Sequence, residues 1–446
     1  MTTDAGNVVR RARNEHGMTL AQLGKRTGYS AATVSRYERG VSPLTDIDVL
    51  WRFATALDIA PADLGLSPRP PAGPRPGLSG EAGPWPRLPV HRASRGPEGG
   101  EEEEQMKRRN LLAAGLAMTA AAATGIPLPA GADEDQTPIE TVLVGRLRDA
   151  MLGIGTPIDL AQVPPEAELD KALAAFHACD YTALSTRLPN AIRAGHAQDP
   201  GAEQNLARAY ILATRMLVKL DEQQLGWMAA DRAKQYAEAH GDVMQSTEAA
   251  RQLAVLARRA GWAREAMTLA LTAADDPRLR ALGSDGAAQR GLLVQSAAYT
   301  AARGGDAQGM RDLTDEATAI ATTLRGTTRL RHHGGGFSPA TVKLHLISAE
   351  NSTGDPSLAL TAARALSPQE LPTAERRARY YTDVATAYAA WGRRDECVRA
   401  LLAAERVAPQ ETHARPAVKS MIQGLLVSGR TTGELRGLAA RSGLRD

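Results

Sequence analysis

Between Ser67 and Gly100 the chain places nine prolines and seven glycines in 34 positions, with Pro68, Pro70, Pro71, Pro74 and Pro76 close together. Proline lacks the amide hydrogen that helices and sheet ladders need, so neither propagates through such a stretch. The chain is therefore cut in two: a short head, 1–66, and a long remainder beyond a linker at 67–105 that ends in the acidic run Glu101 to Glu104. Its 446 residues also exceed what one core of roughly 100–200 residues serves.

Aromatics make up only 4% of the residues. Strands favour aromatic and β-branched side chains, whereas the abundant Ala, Leu and Arg favour helix, so an all-α fold is expected. Cys179 and Cys397 are the two cysteines, too few for a disulfide framework or a four-thiolate metal site, and a reducing cytoplasm suits that usage. About 46 arginines stand against seven lysines, a composition expected of a high-GC bacterium.

A second anomaly follows the linker. Arg108-Arg109 precede an uncharged, alanine-dominated stretch from Leu111 to Leu128, within a segment spanning 106–138. It looks like a twin-arginine export signal, but such signals are read at a chain's start, and here a folded head comes first. An Ala-rich spacer is the leading expectation and a membrane is not the expected partner; a membrane-tethered form is the alternative.

In the head, Thr19 can cap a helix reading LAQLGKRT that Gly28 ends, and Ser30 can cap another reading AATVSRYER that Gly40 ends. Leu20, Leu23, Val34 and Tyr37 can pack inward, with Val8, Val9 and Ala12 before them and Leu50, Phe53 and Leu57 after. From Asn7 to Gly40 seven basic residues face two acids, Glu15 and Glu38. That local excess is a candidate electrostatic footprint for nucleic acid. An ion pair between Glu38 and Arg10 is expected inside the domain.

These residues, with Arg10, Gly17, Ser35 and the Pro61 to Leu64 turn, make Val8 to Leu66 resemble the Cro and phage-repressor class of helix-turn-helix domains, the XRE type. The resemblance implies a five-helix lambda-repressor-like domain whose helix starting at Ala31 enters the major groove of double-stranded DNA. Ala31, Ala32, Thr33 and Arg36 would then face base edges, and Thr19, Ser30 and Arg39 would anchor phosphates. Because one such domain grips few bases, members of this class normally act as dimers on adjacent half-sites.

From residue 139 to 446 helical patterns recur. The clearest, Tyr380 to Pro409, places Tyr381, Val384, Ala385 and Tyr388 on one helix face, turns at Gly392, and repeats the device with Cys397, Leu401 and Ala404. This unit resembles the tetratricopeptide repeat. Weaker copies centre on Gly354, Gly304 and Gly261. Further helical stretches run through Leu169 to Ala194, Glu203 to Ala239 and Pro416 to Leu426. An α-solenoid of six or seven helix pairs follows, with a surface suited to peptides, proteins or a second copy.

The tandem architecture is similar to bacterial quorum-sensing regulators, which implies a peptide or protein effector held by Asn and Arg of the inner face; Asn205, Arg208, Arg215 and Asn351 are the candidates here, on the likeness of architecture and not of a site. An interaction scaffold whose repeats recruit a protein is the alternative reading. An enzyme is not expected. His332, His333 and His345 flank Gly334 to Gly336, yet no carboxylate or thiol joins them at ligand spacing and no Lys-Ser/Thr pair follows the glycines, so neither a metal nor a cofactor is expected.

Overall fold

The computed structural model describes residues 5–29, 31–40, 44, 47–66, 137–155, 164–198, 201–325, 329–330, 336–429 and 431–444. The chain divides into two units, one of Met1–Pro68 with Thr137–Asp446 and one of Arg69–Gln136. The second lies outside the described residues, as do the linker and the apolar stretch after it. Among the described residues the chain is all-α: the single β feature is an isolated bridge between Arg329 and Phe337, and no helix is long and apolar enough to cross a membrane.

Four helices, α1 (Ala5–Glu15), α2 (Leu20–Thr27), α3 (Ala31–Glu38) and α4 (Ile47–Leu57), and a 3-10 turn at Pro61–Leu64 form the head. Local chemistry sets the boundaries. Thr19 accepts from the Gln22 amide while Gln22 reaches back to the Thr19 amide, which satisfies donors that the first turn of α2 leaves open. Gly28, at φ 77°, closes the helix in the left-handed conformation that costs glycine nothing. Val9, Leu23, Val34, Phe53 and Leu57 are buried as one core. Tyr29, Tyr37 and Phe53 bring three rings into it, with centroids 5.7–5.9 Å apart. Glu38 is paired inside the domain, but with Arg13 and not Arg10: Arg13 Nε and Nη2 donate to its two oxygens at 2.5 and 2.8 Å. Arg10 sits three positions earlier on α1 and is exposed.

The remainder begins with α5 (Ile139–Leu152) and continues as helix pairs: α6 (Pro165–Ala178) with α7 (Tyr181–Ala197), α8 (Glu203–Lys219) with α9 (Gln223–His240), and α10 (Val243–Arg259) with α11 (Ala263–Ala274). A short α12 (Pro277–Ala281) leads to α13 (Gly283–Arg303) with α14 (Ala307–Thr323), then α15 (Pro339–Thr353) with α16 (Pro356–Arg364) and α17 (Ala374–Ala390) with α18 (Arg394–Val407). A bridging α19 (Pro409–Ala414) precedes the last pair, α20 (Pro416–Val427) with α21 (Gly433–Arg441). Each tight turn inside a pair needs one residue at positive φ. Gly261, Gly354 and Gly392 supply it as expected, but Gly304 does not: its φ is −82°, and Gly305 at 77° takes the role. In the first two pairs the residues are Cys179 and Asp221. The helical stretches read as Leu169 to Ala194 and Glu203 to Ala239 therefore each divide into two.

The solenoid turns back so that its last elements meet its first. Lys219 Nζ lies 2.8 Å from Glu375 and 2.7 Å from Glu411. Gln410 accepts the Tyr181 amide at 2.6 Å, and Lys419 pairs with Glu140 at 2.6 Å. Cys179, Ala378 and Ala408 pack as a small apolar cluster between them.

Charge is buried within the repeats too. Glu248 is fully buried and accepts from Arg251, Gln252 and Gln289 at 2.6–3.1 Å. Burial alone would raise its carboxyl, but Arg251, Gln289 and Arg215 outweigh that and hold it at about 2. A depressed folded value stabilises the fold above the unfolded value near 4.5 and loses that contribution as pH falls towards 2. About 3 kcal/mol is at stake. Urea midpoints at pH 5 and pH 2.5 are expected to fall less in Glu248→Gln than in the unaltered chain; parallel falls would show that Glu248 does not carry the acid sensitivity.

Candidate nucleic-acid interface

The turn between α2 and α3 is made by Gly28 and Tyr29, with the Tyr29 amide donating to the Gly24 carbonyl at 2.8 Å. It sets α3 across the head so that Val34 faces the core, while Thr33 and Arg36 leave it on the opposite side of the helix. In an unaccompanied head those two side chains would meet water. Here both are only 1% exposed.

What covers them is the repeat domain. Arg36 Nη1 donates to Glu316 on α14 at 2.7 Å, and its Nη2 donates to Thr33 Oγ1 at 3.0 Å. Glu316 is itself 4% exposed and is held from the other side by Arg290 of α13. Burial would raise the Glu316 carboxyl, but Arg36 and Arg290 override that and keep it below the usual carboxylate range. Arg39 Nη2 reaches Asp312 at 2.8 Å near the rim, where both side chains are about one-third exposed. Tyr37 donates to Asp275 at 3.0 Å. Burial, reinforced by that carboxylate, lifts the Tyr37 phenol far above its ordinary value, so it stays a neutral donor. The Arg280 guanidinium lies 5.5 Å from the Tyr29 ring centre. Beside the seam is a cavity of about 340 Å³ lined by Tyr29, Tyr37, Asp48, Arg52 and Asp275, among others.

The residues expected to touch DNA thus fall into distinct environments. Ala31 is half-buried at the start of α3, and Ala32 belongs to the same helix. Thr33 and Arg36 lie in the seam, Arg39 at its edge, and Thr19 is exposed at its cap. Ser30 lies outside the described residues. Four residues of the seam, Asp275, Arg280, Asp312 and Glu316, carried no sequence signal: Glu316 and Arg36 are 280 positions apart, and an acid within TDEATAI reads as a solvated helix face.

The effector candidates have different immediate partners. Arg208 pairs with the exposed Asp170 at 3.1 Å, and Asn205 is partly exposed. Arg215 instead stacks over the Phe176 ring at 4.4 Å and sits near Glu375 and Glu248; burial lowers it to about 10. Asn351 Nδ2 donates to the Asp383 carbonyl at 2.8 Å. Deeper in the repeats half-buried His345 lies edge-on against Tyr299, 5.4 Å between ring centres, and the desolvation of its ring pushes the imidazole well below the ordinary range. Its neighbours in the earlier metal reading, His332 and His333, lie outside the described residues. Among the described residues no cluster of three or more metal-binding side chains occurs.

Residues 9–64 match a protein-family model described as helix-turn-helix. No curated protein matches the chain, and no solved structure does. The matched stretch coincides with α1 to the Pro61–Leu64 turn, and it supports a DNA-binding regulator.

Proposed function

We propose that the protein is a sequence-specific transcriptional regulator in which α3 reads the major groove of double-stranded DNA and the repeat domain governs when it does so. The observation that carries this reading is the capped frame of α2, Gly28 and α3 within the stretch 9–64 that matches the helix-turn-helix model. On that frame Arg36 offers a guanidinium that can donate twice to a guanine edge, and Thr19 and Arg39 are suited to phosphate. Two copies would occupy half-sites about one helical turn apart. The helix pairs, tetratricopeptide-like in turn and packing, are the natural place for the second copy to dock and for a peptide or protein effector to act. Arg215 and Asn351 are the candidates that lie half-buried beside acidic residues, Arg215 near Glu375 and Glu248 and Asn351 on Asp383.

Selection of the full chain on a random duplex pool tests the reading. A preferred sequence is expected, with attachment that weakens steeply as salt rises. Arg36→Ala should lose about 1–3 kcal/mol of discrimination between that sequence and a scrambled one. The ratio is the informative quantity, because any change in how the head is held by the repeats scales both affinities alike. Salt-insensitive attachment, or discrimination unchanged in the variant, would remove α3 from the reading role.

A further inference from the structure

The seam around Arg36 has the chemistry of a nucleic-acid contact without nucleic acid. A groove would offer acceptors to Arg36 and Thr33 and a phosphate to Arg39. Here Glu316 takes Arg36, Asp312 takes Arg39, and Asp275 takes the next residue of the helix, Tyr37. Three carboxylates from α11's end and α14 thus meet three polar side chains, Arg36, Tyr37 and Arg39, in the last turn of α3 and just past it. With Arg36 and Thr33 each 1% exposed, a duplex and the repeat domain cannot hold them at once.

We propose that Asp275, Asp312 and Glu316 form a built-in DNA-mimicking surface that competes with duplex DNA for α3, so that the arrangement described is the closed, non-binding state. The inference rests on the reading of α3 as the DNA-contacting helix and adds the device that controls it. Two features fit a contact made to open. The Arg36 guanidinium is incompletely satisfied, since its Nε is buried without a hydrogen-bond partner among the described residues; and the seam is polar, whereas the head keeps an apolar core of its own, so parting the two exposes little that water does not solvate. Affinity for DNA is then scaled by the fraction of molecules that are open, and whatever weakens the seam raises it.

The test uses the full chain with Glu316→Gln and, separately, Asp312→Asn, whose partners are Arg39 and Gln308 and which does not bear on Arg290. Binding to a random-sequence duplex pool is titrated with salt, and hydrogen exchange of the α3 amides is followed without DNA. Each variant is expected to speed α3 exchange; affinity should rise more than about tenfold for Glu316→Gln and less for Asp312→Asn, with the salt slope unchanged because the phosphate contacts are the same. Asp395→Asn, an exposed acid on α18, removes one negative charge outside the seam and should do neither. Equal gains in all three variants would mean that net charge alone acts, and would overturn the proposal. So would unchanged exchange and affinity at Glu316 and Asp312. Faster exchange with no duplex bound by any variant would overturn the competition with DNA and, separately, the reading of α3 itself.

Discussion

Replacing Lys219 by methionine is expected to release the C-terminal helices from the first helix pairs. The lysine is 13% exposed and serves two carboxylates, Glu375 and Glu411, which are 4% and 2% exposed. Its ammonium also lies 4.8 Å from the Phe176 ring centre. Burial alone would raise the Glu375 carboxyl, yet Lys219, Arg376 and Arg215 hold it well below the ordinary range. Removing one partner of a buried ion pair costs about 3–5 kcal/mol, because the remaining charge stays out of water without compensation. Methionine preserves most of the stem, so the loss is electrostatic more than a loss of packing. Limited proteolysis in mild urea should then cut within 374–441 before 203–259, while the parent chain resists in both. Equal resistance would mean that Arg376, Arg415 and Arg215, which also lie beside these acids, suffice.

Phe53→Ala is expected to unfold the head and leave the repeats folded. Phe53 is fully buried and packs on both Tyr29 and Tyr37. Phenylalanine-to-alanine changes in cores cost about 3–5 kcal/mol, a large share of the total that holds a small domain together. The loss is aggravated at the seam, because Tyr29 and Tyr37 also present the groups that meet Arg280 and Asp275. Hydrogen exchange should show residues 5–66 losing protection while 203–323 keep theirs, and attachment to DNA should vanish. Uniform loss along the chain would indicate that head and repeats fold as one cooperative body.

The head was legible because its signals are local. Thr19 and Gln22 form their cap three positions apart, Gly28 stands where a left-handed residue is needed, and the spacing of Leu23, Val34 and Phe53 marks the core. The repeats were legible where glycine makes the turn. Cys179 and Asp221 hid theirs, because neither residue type announces positive φ. Arg10 and Arg13 lie on one helix within one turn, and only packing decides which reaches Glu38. The seam could not be read at all: it joins charged residues far apart in the chain, each of which satisfies the local pattern of a wet helix face. Long-range polar pairing leaves no periodicity behind.

The return of α17, α19 and α20 onto α5, α7 and α8 has a mechanical corollary. Stacked repeats ordinarily fray from their ends, since a terminal repeat has a neighbour on one side only. Here Lys219, Gln410 and Lys419 tie early helices to late ones, so fraying of the pairs at either side must first break these contacts. The clasp thus makes one shared contact region of what would otherwise be two independent borders of the repeats.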